Sequence, residues 1–142
     1  MQIENAFKNY YKKDNLYYSC QYHVIFCPKY RRKVLIDGVD EELKNIILSN
    51  QEKYDYNIIE IEIMPDHVHL LIEINPKIGV FRTVCKIKGI SSKIIREKFS
   101  WIKKRIPTLW THSSFISSVG SVSLDIVKKY IENQKTVWKI VK

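Results

Sequence analysis

The alternation of hydrophobic and polar residues predicts four strands along the chain. From Leu16 to Cys27, apolar and aromatic residues alternate with polar ones, which is typical of a strand with one buried face. Residues 57–64 and 67–74 alternate in the same way, and the Met64-Pro65-Asp66 turn between them predicts a hairpin. A short fourth strand is expected over residues 114–119.

Helical spacing separates these strands. Residues 40–54 and 78–99 carry apolar residues three and four positions apart, and the basic, aromatic stretch 100–110 is expected to be a connection. A last helix is expected over residues 122–138. The resulting order β-α-β-β-α-β predicts an α+β fold, a ferredoxin-like or RRM-like antiparallel sheet with an added carboxy-terminal helix, in one domain spanning residues 1–142.

The expected hairpin divides its residues between two faces. Ile59, Ile61 and Ile63 are predicted to share the buried side of the first strand. His67 and His69 lie on the polar side of the second strand, and the strand period places them roughly 6.5–7 Å apart, close enough to bind one metal ion. The alternative is an ordinary pair of surface histidines.

The net charge of the chain indicates the kind of partner that it binds. The 142 residues contain 24 Lys and Arg against 15 Asp and Glu, a net charge of +9, which indicates a polyanionic partner. A hydrophobic fraction of 45% with only 4 Gly and 4 Pro excludes a disordered or low-complexity chain. The polar, Lys-rich residues 1–15 are expected to form a basic arm.

The apolar runs, the amino terminus and the cysteines of the sequence indicate the cellular compartment. The longest apolar run, Val24–Cys27, is far shorter than the roughly 20 residues of a membrane span, so no membrane association is expected. The amino terminus does not resemble a secretory signal. The cysteines form no CxxC pair and are expected to be core thiols in a reducing, cytoplasmic environment: Cys20, Cys27 and Cys85.

Two groups of basic residues are candidate contacts to DNA phosphates. The first is the basic cluster, which follows the first strand and consists of Lys29, Tyr30, Arg31, Arg32 and Lys33. The second is the helical basic stripe on the polar side of the helix 78–99, which consists of Arg82, Lys86, Lys93 and Arg96. Residues 103–105 are further candidates for phosphate contacts, and Tyr30 or Trp101 could stack on bases. Each group could also be a solvated face.

The last helix carries two polar residues of interest. Tyr130 and Gln134 are four positions apart and therefore share a face. A helical projection places Gln134 at the edge of an apolar sector that includes Ile131, so its amide is expected to point towards protein and to need a partner. The spacing alone favours Tyr130 as an aromatic residue that anchors the helix, and nothing in that spacing makes it a nucleophile.

Five successive segments resemble the motifs of a known family. They are CQYHVIFCPKYRRKVL (20–35), MPDHVHLLIE (64–73), KIKGISSKIIREKF (86–99), LWTHSSFISSVG (109–120) and VSLDIVKKYIENQ (122–134). Together they are similar to the single-tyrosine HUH transposases of insertion sequences, whose relatives include the REP-associated tyrosine transposases. The resemblance covers nearly the whole chain.

This resemblance implies a set of roles. The family's HUH motif falls on His67-Val68-His69, its nucleophile on Tyr130 and its third metal ligand on Gln134. The implied activity is cleavage and rejoining of single-stranded DNA through a 5′-phosphotyrosine, with Mg²⁺ or Mn²⁺ and no nucleotide cofactor. The implied substrate is a DNA hairpin at the end of an insertion sequence.

The resemblance also implies a homodimer in which the tyrosine helix completes the active site of the partner. Gly120-Ser121 could be the pivot of that exchange, or an ordinary turn. Two alternatives to a transposase stay open at this point. One is an RRM-like nucleic-acid-binding module, and the other is a domesticated nuclease that binds hairpins without transposition.

Overall fold

The computed structural model describes residues 11–13, 15–120, 125 and 131–132. They fall into two compact units, one formed by Cys20–Val119 and the other by those described residues that belong to 1–19 and 120–142. The predicted positions Tyr130 and Gln134 lie outside the described residues, as does most of the predicted last helix, of which Asp125, Ile131 and Glu132 are helical.

The smaller unit contains a short hairpin within and beside the predicted basic arm. Strand β1 (Tyr11–Lys13) pairs antiparallel with β2 (Leu16–Tyr18). The rings of Tyr11 and Tyr18 stack with centroids 5.8 Å apart. The expected first strand is therefore two strands, because the chain leaves the extended ladder at Ser19 and Cys20.

The larger unit is the predicted α+β fold. Its elements in chain order are β3 (Gln21–Phe26), a 3₁₀ turn (Lys29–Arg31), α1 (Val39–Ser49), α2 (Gln51–Tyr54), β4 (Tyr56–Met64), β5 (His67–Ile74), α3 (Val80–Lys98), α4 (Ser100–Arg105) and β6 (Phe115–Ser118). The sheet is antiparallel with the order β4-β5-β3-β6. The ferredoxin-like order and the helices between the strands confirm the fold prediction.

Helices cover one face of this sheet. Val24 of β3 and Leu70 of β5 are fully buried in a single core with Leu43 of α1 and with Val84 and Ile87 of α3. The alternation of the strands sends the odd-numbered residues of β3 and β5 to the opposite face. That face carries the histidines.

The strand β4 departs from its predicted alternation. A register shift between Ile58 and Glu60 inserts one extra residue against β5. Ile58, Ile61 and Ile63 pack against the core, whereas Ile59 is 42% exposed. The prediction that Ile59 shares the buried side was wrong because a bulge changes the parity of every residue before it.

Three further expectations need correction. The connection 100–110 contains the short helix α4, which begins directly after α3. Cys85 is an exposed thiol on α3, so it is not a core residue, although all three cysteines are free. Ile131, which was expected to face protein, is 45% exposed.

Within the described part of the chain, no helix has the length and hydrophobicity that crossing a membrane requires.

Candidate metal centre and nucleic-acid interface

His67 and His69 project from the same face of β5, as their spacing predicts. Val68 and Leu70 between and beside them are fully buried in the core, so the histidines occupy the side that the helices leave uncovered. Both histidines are half-buried. Since β5 is flanked by β4 and β3, the pair stands on a central strand whose position is fixed from both sides.

Asp66 orients the first of these histidines. The Nδ1 atom of His67 lies 2.9 Å from Oδ1 of Asp66, and Arg31 donates from Nη2 to Oδ2 of the same carboxylate at 3.0 Å. A carboxylate that accepts a hydrogen bond from one ring nitrogen leaves the lone pair of a neutral imidazole on the other. This is the usual arrangement of a metal-binding histidine, so His67 fits a divalent cation at Nε2.

His23 contacts the second histidine from the neighbouring strand. Its Nδ1 atom lies 3.0 Å from Nε2 of His69, and the two rings are 5.2 Å apart between centroids. One of the two nitrogens donates a hydrogen bond to the other. A cation held by His69 would therefore use the remaining nitrogen or displace this hydrogen bond.

The basic cluster lies at the end of the sheet where β5 begins. Tyr30 and Arg31 adopt φ values of +60° and +50°, an uncommon conformation for two successive residues with side chains. The turn is held by hydrogen bonds from the Lys29 amide to the Leu109 carbonyl and from the Arg31 amide to the Pro28 carbonyl, both 2.9 Å. This conformation leaves the Tyr30 side chain 67% exposed.

An open cavity of about 760 Å³ is lined by the cluster and by one residue of α4: Tyr30, Arg31, Arg32, Lys33 and Arg105. The guanidinium carbon of Arg105 lies 5.0 Å from the ring centroid of Trp101, which is a cation–π contact. Four cationic side chains around one cavity form a concentrated positive field. The cavity suits a phosphate-bearing ligand.

The helical basic stripe lies on the other side of this unit. Buried residues of α3 such as Val84 and Ile87 pack on the sheet, and Arg82 and Lys93 project from the opposite side of the helix. The stripe therefore faces away from the sheet, whereas His67 and His69 lie on the sheet's uncovered face.

Two members of the stripe have partners within the fold. Arg96 donates from Nη1 to the Ile106 carbonyl at 2.9 Å, and the ammonium group of Lys86 lies 5.2 Å from the ring centroid of Tyr54. Arg96 thus also holds the chain beyond α4. Arg82 and Lys93 are exposed.

The described residues do not contain the whole predicted site. Among them, no group of three or more His, Cys, Asp or Glu side chains is arranged to hold a metal ion. The structure brings together His67 and His69 on one face. The predicted nucleophile Tyr130 and the predicted ligand Gln134 stay predictions.

Two residues of this region, Asp66 and His23, have contacts that the sequence does not predict. His23 carries a signal, since it lies on the polar side of an alternating strand. The contact of Asp66 depends on tertiary structure. Arg105, which the sequence indicates as a candidate phosphate contact, lines the basic cavity.

The protein is an α+β fold with an antiparallel sheet, with two histidines on the sheet's uncovered face and a basic cavity at one end, and such a cavity suits a nucleic acid. Residues 16–134 match the family "Transposase IS200 like", and the chain belongs to this family. It is therefore a transposase of the IS200 type. Family membership favours this activity over an RRM-like binding module.

Named relatives agree with this assignment. The chain is 34% identical over 119 residues to the ISDra2 transposase TnpA of Deinococcus radiodurans, covering 82% of this chain and 85% of the relative. It is 32% identical over 119 residues to the transposase for insertion sequence element IS200 of Salmonella typhimurium, covering 82% and 78%.

Solved structures share the architecture. A crystal structure of a protein assigned as a transposase in Deinococcus radiodurans R1 superposes with a TM-score of 0.68 at 32% identity, covering 87% of this chain and 97% of the other. A REP-associated tyrosine transposase bound to a REP hairpin gives a TM-score of 0.52 at 13% identity, covering 87% and 67%. The second likeness concerns the fold alone.

Proposed function

We propose that this transposase cleaves and rejoins single-stranded DNA at the ends of an insertion sequence through a 5′-phosphotyrosine on Tyr130. A divalent cation, Mg²⁺ or Mn²⁺, is held by His67, His69 and Gln134. The observation that carries the proposal is the placement of His67 and His69 on one uncovered sheet face, with Asp66 hydrogen-bonded to His67.

The chemistry requires a covalent store for the phosphodiester energy. Attack of the Tyr130 hydroxyl oxygen on a DNA phosphate forms a phosphotyrosine bond and releases a 3′-hydroxyl, with no nucleotide cofactor. A second 3′-hydroxyl reverses the step, so the energy of the broken bond is kept for joining. When bound, the divalent cation polarises the scissile phosphate and offsets its developing charge.

The donor set agrees with the proposed cation. Two imidazoles and an amide oxygen leave coordination positions for phosphate oxygens and water. His67 presents Nε2 because its Nδ1 is engaged by Asp66.

DNA binding is proposed at the basic surfaces. The cavity of the basic cluster lies at the same end of the sheet as His67, because Arg31 pairs with Asp66. We assign the hairpin or its flanking strand to this surface, with phosphates on Arg32 and Lys33 and a base on the exposed ring of Tyr30. The helical basic stripe is a second proposed phosphate contact.

We also propose a homodimer with shared active sites. Gly120 has a φ of +76°, a conformation that glycine adopts without strain, which suits a change of chain direction before the tyrosine helix.

The test of the nucleophile is a covalent adduct. Wild-type protein is incubated with single-stranded DNA from an element end and Mg²⁺, and the products are separated on a denaturing gel. Tyr130→Phe is expected to abolish the adduct while hairpin binding stays within about twofold. Tyr54→Phe is the matched control, since it also removes one phenolic hydroxyl, at the helix-covered side of the fold. Adducts at the wild-type level in Tyr130→Phe would contradict the assignment.

The metal is tested separately. His67→Ala and His69→Ala are expected to lose cleavage by at least about a hundredfold while retaining the fold, and His112→Ala is the matched control because His112 lies in an exposed loop. Cleavage that is unaffected by a chelator would contradict the proposed metal site.

A further inference from the structure

The turn before β5 places a carboxylate between an arginine and a histidine. Asp66 uses its two oxygens for different partners, Oδ1 for Nδ1 of His67 at 2.9 Å and Oδ2 for Nη2 of Arg31 at 3.0 Å. Consecutive residues of a regular strand point to opposite faces, so an aspartate within the strand would be directed away from the next histidine. Asp66 reaches His67 because it belongs to the turn.

The contact decides which nitrogen of His67 carries the proton. A carboxylate only accepts hydrogen bonds, so the proton of the neutral ring is held on Nδ1 and the lone pair is left on Nε2. Without Asp66, both tautomers of the ring would be accessible, and the ring would be freer to rotate. A cation would then bind more weakly, because the ring is less often in the tautomer and orientation that the cation requires.

Arg31 is brought to Asp66 by unusual backbone geometry. Tyr30 and Arg31 have φ values of +60° and +50°, and the amide of Leu35 donates to the carbonyl of Pro65 at 3.1 Å, which ties the same segment to the turn. Two successive left-handed residues persist only where the surrounding structure holds them, and such strain concentrates at functional sites. The Arg31–Asp66 pair is the contact that this geometry creates at the histidine.

The pair is not explained by stability. The Arg31 side chain is 71% exposed and that of Asp66 is 24% exposed, so the ion pair is largely screened by water. Arg31 makes its contact at the wall of the basic cavity and retains further guanidinium donors for a phosphate.

We infer that Asp66 is a positioning residue for the metal ligand His67, and that Arg31 holds Asp66 and so joins the basic cluster to the metal site. The inference rests on the proposed function, because it concerns the cation bound at His67. It differs from a DNA-binding role for Arg31, since it requires an effect of Arg31 on metal affinity when DNA is absent.

The first measurement is Mn²⁺ affinity of the full chain without DNA, by electron paramagnetic resonance of the free ion. Asp66→Ala is expected to weaken binding about 10–100-fold, and Asp66→Asn to restore most of the loss, because the amide oxygen still accepts from Nδ1. Arg31→Ala is expected to weaken binding several-fold. Glu41→Ala, at an exposed acid of α1, is expected to leave it unchanged.

Arg32→Ala is the matched control for Arg31→Ala. Both variants remove one positive charge from the basic cluster, and loss of a positive charge by itself favours a cation. Arg32→Ala is therefore expected to leave Mn²⁺ affinity unchanged or to strengthen it, opposite in sign to Arg31→Ala. Equal effects of the two variants would overturn the role of Arg31.

The second measurement separates positioning from a general structural effect. In protein labelled with ¹⁵N-histidine, the wild type is expected to show His67 with its proton on Nδ1, and Asp66→Ala to lose this preference while the His112 signals stay unchanged. An unchanged His67 tautomer in Asp66→Ala would overturn the inference.

The proposed function can fail separately. If His67→Ala weakens Mn²⁺ binding and Asp66→Ala does not, the positioning role is wrong and the metal site stands. If His67→Ala leaves Mn²⁺ binding unchanged, the proposed metal site is wrong and the positioning role falls with it.

Discussion

Asp66 and Glu73 are carboxylates at the two ends of β5 with opposite electrostatic situations. The hydrogen bond from His67, together with the neighbouring Arg31, holds the pKa of Asp66 below its ordinary value. Glu73 is fully buried, and burial raises its pKa, although the amide of Cys20 donates to it. Asp66 is therefore a charged partner at neutral pH, whereas burial makes the ionisation of Glu73 less favourable than that of an exposed glutamate.

The raised pKa of Glu73 predicts a specific dependence of stability on pH. A raised pKa in the folded state stabilises the fold below the ordinary value of 4.5, and this contribution is lost as the pH rises through the folded-state pKa. Glu73→Gln carries no charge at any pH. The free energy of unfolding of Glu73→Gln minus that of wild type is expected to be more positive at pH 7 than at pH 4, measured by urea denaturation, so the variant is relatively more stable at pH 7. A difference that does not change with pH would contradict the burial of the charge.

At the scale of elements, α3 anchors the segment that leads into β6. The ammonium group of Lys88 lies 2.8 Å from the Thr111 carbonyl, 3.2 Å from the Ser113 carbonyl and 3.0 Å from Oγ of Ser114. Ser91, one turn later, accepts a hydrogen bond from Nε1 of Trp110 at 3.0 Å. These contacts fix the edge strand that pairs with β3 beside His23.

Removal of the Lys88 ammonium group is expected to loosen that edge. Lys88→Met keeps the apolar stem but leaves several carbonyl groups without their donor, so the free energy of unfolding is expected to fall by about 1–3 kcal/mol. In Lys88→Met, amide hydrogen exchange is expected to accelerate relative to wild type, and more in β6 than in β5. Lys93→Met, at an exposed position of the same helix, is the control and is expected to change neither quantity.

Sequence patterns predicted most of the elements because alternation and helical spacing depend on local sequence. The shared face of His67 and His69 follows directly from the period of a strand. The bulge near Ile59 was not predictable, since it is set by pairing with β5. The Arg31–Asp66 contact joins residues 35 positions apart, and the burial of Glu73 likewise depends on packing that no local pattern records.

At the scale of the molecule, the sheet separates two surfaces. The histidines lie on the uncovered face, and the helical basic stripe projects from the helices that cover the other face. The basic cluster lies at the sheet end nearest to His67. On the proposed function, a DNA strand at His67 would lie next to the cluster, and contacts with the stripe would involve a separate part of the DNA.

This arrangement predicts unequal contributions to DNA binding. Arg32→Ala with Lys33→Ala is expected to weaken hairpin binding and to reduce the slope of log affinity against log salt by about 1.4–1.8, as loss of two phosphate contacts requires. Arg82→Ala with Lys93→Ala removes the same charge from the helix-covered side. This variant is expected to reduce cleavage less than Arg32→Ala with Lys33→Ala does. Equal losses of cleavage for the two double variants would contradict the proposed path of the strand.

A homodimer with shared sites predicts complementation. Tyr130→Phe and His67→Ala chains are each expected to be inactive. Refolding an equal mixture of the two chains together is expected to restore adduct formation to roughly a quarter of the wild-type level. The measure is the yield of covalent adduct at equal total protein. No recovery in mixed dimers would show that each site is built from one chain.

The proposed function requires that Tyr130 becomes joined to the 5′ end of the cleaved strand. Its most direct test is mass spectrometry of the protein after reaction with element-end DNA and Mg²⁺, followed by nuclease trimming and proteolysis. We expect one modified peptide, with a nucleotide attached through its 5′-phosphate to Tyr130. Attachment to another residue, or cleaved DNA with a 5′-phosphate and no modified peptide, would contradict it.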